Sequence, residues 1–472
     1  MLENRSFDHM LGFSGLNGID GVSTSDSNEY KGQHFTASND AAKIMGHDPG
    51  HEFTDVLEQL CGAGTVYTGG PYPKINNSGF VSNYTFGEIM KCYDTPKALP
   101  VMMTLANEFT VCDHWYSSLP GPTWPNRFFV HAASSGGLDH SPTSLETFEW
   151  EKLKGFVFAN GNIFESLAKA GKQWRIYRGA RKPILGSIPG VAALKGIQIR
   201  DTIAYEKFAN DVKGPYPYSY TFIEPNYGDI ISGSYSGGQS QHPMDDVRRG
   251  ELLIKSTYEA IRNSALWPSS LLIITHDEHG GFYDHFPPPA AVAPGDTIPH
   301  SVYNKSGFGF DQYGVRVPAI VISAYTPKNK ISHLPYDHSS IPATLEQMFN
   351  MPALTRRDAV ANTVGSLADL PDARPETGDG APPKFLPEVT IPSEVADEFT
   401  SAAIPKPIPD SAPVDGGNLP GFLFVVRKEQ LEKAAAAGIK PELVEALPVV
   451  IQTRGEARAY LETNLPELMK EP

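Results

Sequence analysis

The chain has 472 residues, 40% hydrophobic and 20% charged, a balance that suits a large folded core and excludes a disordered polymer. Its formal net charge of −15 argues against a generic nucleic-acid or anionic-membrane surface, and no run approaches the ~18 apolar residues of a membrane span. The 43 glycines and 41 prolines imply many ordered loops, and three cysteines, Cys61, Cys92 and Cys112, allow at most one disulfide and show no zinc-ligand spacing.

The chain opens almost inside a polar motif, Glu3-Asn4-Arg5-Ser6-Phe7-Asp8-His9. If Glu3 and Asn4 sit at a strand end, the strand carrying them is missing or reduced to two residues, so the start reads as truncated. With no charged-then-apolar leader ahead of that motif, localisation stays undecided. The cluster His47-Asp48-Pro49-Gly50-His51-Glu52 reads equally as an acidic cap on a helix from about Phe53 or as part of a site. Residues 85–107 carry apolar side chains near helical spacing, but Pro96 and Pro100 cannot lie inside one helix. Two short helices are predicted, the second from near Pro100. A strand over 109–116 then leads into Pro120-Gly121-Pro122-Thr123-Trp124-Pro125-Asn126-Arg127, where Thr123 suits an N-cap and Pro125 the first turn of a helix.

Beyond that helix the chain alternates. Helix 162–170 precedes strand 172–177, strand 219–223 ends at Glu224-Pro225-Asn226-Tyr227, and helix 246–263 follows Gln241-His242-Pro243. Strands then begin at Leu271 and Ala319, and helix 341–350 follows. This order predicts an α/β architecture with a mostly parallel sheet covered on both faces. Around 372–420 proline is dense and periodicity vanishes, so the chain divides into a catalytic domain over 1–371, a wrapping segment or linker over 372–426, and a helical tail over 427–472.

The unbroken apolar run Leu271-Leu272-Ile273-Ile274 predicts a strand buried on both faces, and the adjacent carboxylates of Asp277 and Glu278 stand beyond its C-terminal end, where open α/β sheets bind ligands. Both serve one centre only if the backbone turns there, which Gly280-Gly281 permits. Two hard oxygen donors beside His279 and His285 suit a divalent cation and lean away from zinc. Thr123 places a hydroxyl at a helix N-terminus, where an anion is favoured and an alkoxide costs less; a plain capping threonine fits the same position. Arg127, one turn on, suits a phosphate or a surface carboxylate equally, and His131 reads as packing. Glu3 and Asn4, Thr123, His242, and Asp277 with Glu278 each fall near a predicted strand end, and phosphoryl transfer is the chemistry they share.

At these motifs, together with Asp277-Glu278-His279-Gly280-Gly281-Phe282-Tyr283-Asp284-His285 and Gly314-Val315-Arg316-Val317-Pro318, the sequence resembles the phosphoesterase family of bacterial phosphatidylcholine-type phospholipases C and related acid phosphatases. The resemblance spans residues 1 to about 350. It implies an alkaline-phosphatase-like α/β/α sandwich holding one divalent metal ion, with Glu3, Asn4, Asp277 and Glu278 as ligands that share the ion with the Thr123 oxygen. It also implies Thr123 as the nucleophile that becomes a phosphoenzyme, and His51 and His242 as phosphate-contacting or proton-donating groups. Two departures stand out. Family members carry histidines near the Glu224-Pro225-Asn226-Tyr227 position, where this chain offers Asn226 and Tyr227 beside Arg127 as phosphate contacts, and the apolar strand usual before Glu-Asn-Arg is not in this chain. The expected substrate is a phospholipid phosphodiester. A phosphomonoester, as for an acid phosphatase, is the alternative, and a non-catalytic cation-binding relative is a third reading that the Thr123 hydroxyl argues against. Thr123-Trp124-Pro125-Asn126-Arg127 also echoes the Cys/Ser-x-Pro-x-Arg pattern of sulfatases, with threonine at the decisive position, which disfavours a sulfate ester.

Overall fold

The structure is a computed structural model that describes residues 1–179, 185–296, 303–391, 407–438 and 451–469. A hairpin of β1 (Ser27–Tyr30) and β2 (Gln33–Thr36) precedes the helices α1 (Phe53–Cys61), α2 (Phe80–Tyr84), α3 (Thr95–Ala98) and α4 (Pro100–Glu108). Next come β3 (Thr110–Cys112), β4 (Trp115–Tyr116), α5 (Thr123–Ala132), α6 (Ser144–Leu153), α7 (Ile163–Lys169), β5 (Gln173–Arg178), β6 (Thr202–Ala204), α8 (Phe208–Asp211) and β7 (Tyr218–Glu224). The chain continues through α9 (Val247–Arg262), β8 (Leu271–Thr275), β9 (Ala319–Ser323), β10 (Lys330–Ser332), β11 (Tyr336–Asp337), α10 (Ser340–Phe349) and α11 (Arg356–Val360), and ends in α12 (Leu419–Ala436) and α13 (Arg454–Leu468). The two prolines split 85–107 as expected, with Pro96 inside the first turn of α3 and Pro100 opening α4.

The fold is mixed α/β. One sheet runs in the order β10-β3-β9-β8 and a second in the order β6-β5-β7. The parallel expectation holds for β5 with both neighbours, for β10 with β3 and for β11 with β4. Strand β9 departs from it, running antiparallel to both β3 and β8. The reason lies in where the chain re-enters the sheet: β9 begins at the end where β8 finishes, with Thr275 paired to Ala319 and Arg316 bridged to Tyr116 just before it, so it runs back in the opposite direction. Residues 1–2 join the two sheets. The Leu2 N–H donates to the Thr275 carbonyl (2.9 Å), Asp277 N–H donates to the Leu2 carbonyl (3.2 Å), and the Met1 amino group reaches the Ile223 carbonyl (3.3 Å).

Alternation along β9 shows the layers. Ala319 and Val321 face a core shared with α5, α7, α10 and α12, while Ile320 and Ile322 face a second core with α4 and α9. The expectation that β8 is buried on both faces is met only at its end. Ile274 and Thr275 are buried, but Leu271, Leu272 and Ile273 are half-buried; β8 is the end strand of its sheet among the described residues.

Helix α6 is tied to the preceding loop by a charged clamp. Glu146 closes a capping box with Thr143, and His140 sits between Asp139 (Nδ1 to Oδ1, 2.7 Å) and Glu146 (Nε2 to Oε1, 2.7 Å). Burial disfavours the imidazolium, yet the two carboxylates overcome it and lift the His140 pKa to about 9. The folded state therefore holds this proton more tightly than the unfolded chain does. The stabilisation is fully present below the unfolded pKa of 6.5 and is lost as pH rises through about 9. We expect His140→Gln to cost about 1–2 kcal/mol in acid and little in alkali above that range, read from urea denaturation midpoints.

Candidate active site

Two left-handed residues bring the N-terminal motif onto the end of β8. Asn4 has φ +58° and Gly280 φ +64°, and a Cβ on Gly280 would lie 2.2 Å from the Asn4 carbonyl oxygen, so only glycine fits there. This close crossing is stitched by Asn4 N–H to Asp277 Oδ1 (2.9 Å) and Arg5 N–H to the Glu278 carbonyl (2.9 Å). The turn predicted at Gly280-Gly281 is thus present. It lets the Gly280 N–H hold Glu278 Oε2 at 2.6 Å.

Helix α5 supplies the hydroxyl. Its N-cap is Pro122, and Thr123 makes no capping hydrogen bond, so the capping reading of this threonine does not hold. The Thr123 hydroxyl instead donates to Asn4 Oδ1 at 3.3 Å, within a site where it is 3% exposed. One turn on, Arg127 resolves toward a buried carboxylate: its Nε donates to Asp277 Oδ2 (2.9 Å), Nη2 donates to the Leu2 carbonyl (3.1 Å), and Nη1 is buried with no partner. His131 packs against Phe164 and Phe222, as the sequence suggested.

Glu3, Asn4, Asp277 and Glu278 are all fully buried. Both carboxylate oxygens of Glu3, Oε1 of Glu278 and the Asn4 amide nitrogen have no hydrogen-bond partner. Burial, opposed by Arg127 and reinforced by Asp277, raises the Glu3 pKa to about 8. Burial likewise carries Asp277 to about 6, against the pull of Arg127. Unpaired buried carboxylate oxygens are costly, and a cation is the partner that satisfies several of them at once. By chemistry, these hard oxygen donors suit a divalent ion. Asp277 has less to offer than the others, since Oδ1 also accepts the Glu278 N–H (2.7 Å) and Oδ2 holds Arg127.

The two candidate histidines approach from loops held by other motif residues. His51 precedes α1, whose Gln59 fastens the loop through the Gly50 carbonyl (2.7 Å) and also meets His279 Nε2 (2.7 Å). Burial opposes a charge on His51, but Glu278, Asp48 and Glu52 raise its pKa to about 10, and its Nδ1 lies 2.9 Å from the Pro49 carbonyl. His242 is placed by Arg5, which donates to the carbonyls of Gln241 (2.7 Å) and His242 (3.2 Å). Burial, then His51 and Arg5, hold the His242 pKa well below the usual histidine value. Its Nδ1 accepts the Met244 N–H (3.3 Å), which puts the ring proton on Nε2, a buried atom with no hydrogen-bond partner. Two neighbours of His242 had no role in the sequence reading: Tyr235, whose ring stacks on the imidazole at 3.4 Å, and the exposed Asp48, 3.7 Å from Nε2. Only the chemical density of the His47–Glu52 stretch pointed to Asp48; nothing in sequence pointed to Tyr235.

The stretch after β7 is largely self-engaged. Asn226 Oδ1 accepts the Gly228 N–H (2.9 Å), and the Tyr227 hydroxyl donates to Glu224 Oε1 (2.5 Å) while its ring lies 5.3 Å from the Arg127 guanidinium carbon. Beside Thr123, a cavity of about 20 Å³ walled by Trp124, Tyr227 and Phe422 has room for little more than a water. Of His279 and His285, the histidine in contact with the acidic pair is His279, 3.4 Å from Glu278 Oε2, while His285 turns to Asp8 and Asp20.

Among the described residues, the groups whose three potential ligand atoms lie within 4.8 Å of one another are Asp8 with Asp284 and His285, and Asp113 with His114 and His333; Glu3, Asp277 and Glu278 do not form such a group. Both of those groups already have protein partners. Arg316 donates to Asp284 (2.8 Å) and Asp8 (3.1 Å), His285 bridges Asp8 and Asp20, and Asp113 accepts from His333 and from the Asp20 N–H. The Asp8 cluster and the Glu3–Glu278 site each have a buried guanidinium beside them, Arg316 and Arg127, but only Glu3 and Glu278 keep carboxylate oxygens without a hydrogen-bond partner, which favours them as the site for a hard cation. The Arg316 cluster accounts for the Phe7-Asp8, Tyr283-Asp284-His285 and Val315-Arg316 motif residues as a clamp that ties three segments together behind the site.

The Phosphoesterase family model matches residues 1–352. A curated relative, non-specific phospholipase C3 of Arabidopsis thaliana, is 36% identical over 418 residues, covering 82% of this chain and 75% of its own. Phospholipase C B of Mycobacterium tuberculosis is 30% identical over 347 residues, covering 68% of this chain and 65% of its own. Among solved structures, a protein in the alkaline phosphatase superfamily from Vibrio parahaemolyticus aligns over 90% of this chain and 94% of its own, at 13% identity and a TM-score of 0.32.

Proposed function

Because the chain belongs to the Phosphoesterase family, we propose that it hydrolyses a phospholipid phosphodiester as a phospholipase C does, through a phosphoryl group carried transiently on Thr123. It is a hydrolase of ester bonds. The observation that carries the finer reading is the Thr123 hydroxyl, free of any capping duty and bonded to Asn4 beside carboxylate oxygens that have no other partner.

In this reading the Thr123 oxygen attacks phosphorus, the bond from phosphorus to the glycerol oxygen breaks, and diacylglycerol leaves. Water then attacks the same phosphorus, cleaves its bond to Thr123 and releases the head-group phosphomonoester. A divalent cation held by Glu3, Asn4, Asp277 and Glu278 would neutralise phosphate charge and lower the pKa of the hydroxyl. The chain's own residues supply the remainder. His51, protonated at neutral pH, donates to a phosphoryl oxygen or to the leaving alcohol. His242, neutral with its proton on Nε2, donates a hydrogen bond to a second oxygen. The unpaired Nη1 of Arg127 offers a third donor, and Tyr227 supports that guanidinium from below. Asn226, folded onto its own turn, is assigned the lesser part of the phosphate site. The cavity beside Thr123 cannot take a head group.

The test compares phosphatidylcholine, an aryl phosphomonoester and an aryl sulfate, each with and without chelator. Chelator-sensitive release of diacylglycerol supports the proposal. Turnover of the monoester alone moves the protein to the phosphatases, and turnover of the sulfate overturns the phosphoesterase chemistry.

A further inference from the structure

Two parallel strand pairs follow one another in the fold, β10 beside β3 and then β11 beside β4. The short links between them carry Asp113-His114 on one segment and His333 on the other, and one ligand atom from each of these three residues lies within 4.8 Å of the other two. Asp20 joins them from the loop after the N-terminal motif. Its Oδ2 is 3.1 Å from His114 Nε2, and its N–H donates to Asp113 Oδ2 (2.9 Å). His333 Nδ1 lies 2.9 Å from Asp113 Oδ2 and 3.0 Å from Oδ1. The group is reachable from solvent, since the His333 side chain is 56% exposed above a fully buried Asp113.

The placement of protons leaves this network short of positive charge. His114 Nδ1 is 3.0 Å from the His333 carbonyl, which can only accept, so Nδ1 carries the ring proton. In the neutral ring, Nε2 then turns a lone pair toward the Asp20 carboxylate, and only a second proton or a cation makes that contact favourable. The surrounding charges point the same way. His285 stands between Asp8 and Asp20; burial opposes its charge, but Asp8 lifts its pKa to about 9. Among the described residues of this network, the Arg316 guanidinium and the His285 imidazolium face the carboxylates of Asp8, Asp20, Asp113 and Asp284, which leaves two negative charges, those that one divalent ion neutralises. Arg316 does not occupy the place of such an ion. It donates to the main-chain carbonyls of Asp20 and Asp113 (both 2.9 Å), stays 4.0 Å from Asp20 Oδ2 and spends its closest ion pairs on Asp8 and Asp284.

We propose that Asp20, Asp113, His114 and His333 form a second metal site, separate from Glu3 and Glu278, that takes a zinc-class transition ion. Two imidazoles and two carboxylates are a four-ligand set suited to that class, whereas the oxygen donors at Glu3 and Glu278 suit a harder ion. The spacing agrees. Zinc bonds of about 2.0–2.2 Å at tetrahedral angles set neighbouring ligand atoms about 3.3 Å apart, so contacts of 2.9 and 3.1 Å need to open by only a few tenths of an ångström. The Phe286 ring, 4.4 Å from that of His114, gives the site an apolar wall. An ion here ties the Asp20 loop to the β3–β4 and β10–β11 links, and β4 leads through residues 117–122 to Thr123. Its part is to brace that path and not to meet the substrate.

Zinc titration of the metal-stripped full chain tests this in a Glu3→Gln background, which weakens the oxygen site. That protein should bind one Zn²⁺ at ~10 µM or below, show two imidazoles in its zinc X-ray absorption spectrum and keep the ion against an excess of Mg²⁺ of about a hundredfold. Zinc, unlike Mg²⁺ or Ca²⁺, should also raise its Tm. Adding His333→Gln or His114→Gln should each weaken zinc binding by about 100-fold, and the exposure of His333 makes the first a substitution that the fold tolerates. Loss of affinity in both, with the imidazole signature in the parent, establishes the site. No zinc bound at that concentration, zinc bound without imidazole, or an affinity that either histidine substitution leaves unchanged overturns it.

Discussion

Thr123→Val should lower turnover by about 10⁴-fold or more while leaving a folded, cation-binding protein. The substitution is nearly isosteric and removes only the hydroxyl. That hydroxyl makes a single hydrogen bond, to Asn4 at 3.3 Å, and caps no helix, so its structural cost is about 1 kcal/mol. A threonine that served α5 as an N-cap would show the reverse pattern, a fall in stability with turnover largely intact. Thr123→Ser separates the two further, since it keeps the nucleophile and should retain much of the rate. Turnover and thermal midpoint measured on the same samples distinguish these outcomes. Activity that survives the valine substitution removes Thr123 from the chemistry.

Glu3→Gln should abolish turnover to a similar extent and yet stabilise the cation-free protein by about 1–3 kcal/mol. Both oxygens of Glu3 are buried without a partner, and burial, reinforced by Asp277, drives its carboxyl toward the neutral form with a pKa of about 8. Such a group is a liability to the fold unless a cation accompanies it. Adding a hard divalent ion should therefore raise the Tm of the wild type and leave the glutamine variant nearly unmoved. Chelator should reproduce the catalytic loss in the wild type. If Glu3→Gln destabilises the chelated protein, the residue is a structural hydrogen-bond acceptor and the cation assignment falls with it.

Much of this arrangement was legible from sequence because the chemistry sits where local rules are strong. Gly280-Gly281 announced the turn beyond β8, Pro96 and Pro100 divided α3 from α4, and Asp277-Glu278 marked a strand end. What stayed hidden depends on long-range contact. Nothing local distinguishes a capping threonine from one turned toward Asn4, 119 residues away. Arg127 was balanced between phosphate and carboxylate until Asp277, 150 residues on, proved to be its partner. The direction of β9 is set by where the 276–318 connection re-enters the sheet, which a strand's own residues cannot encode. The Arg316 clamp shows the opposite limit: its acidic and histidine residues look like ligands in sequence, and the guanidinium that satisfies them comes from a distant motif.

The measurement that reaches the central claim most directly is rapid acid quench of the enzyme during turnover of phosphatidylcholine, followed by mass analysis of the peptide containing Thr123. From phosphatidylcholine, that peptide should carry a phosphocholine group linked through phosphorus to Thr123 in the wild type, lost with chelator and absent from Thr123→Val. Steady turnover with no phosphoryl group on Thr123, or with one on another residue, would contradict it.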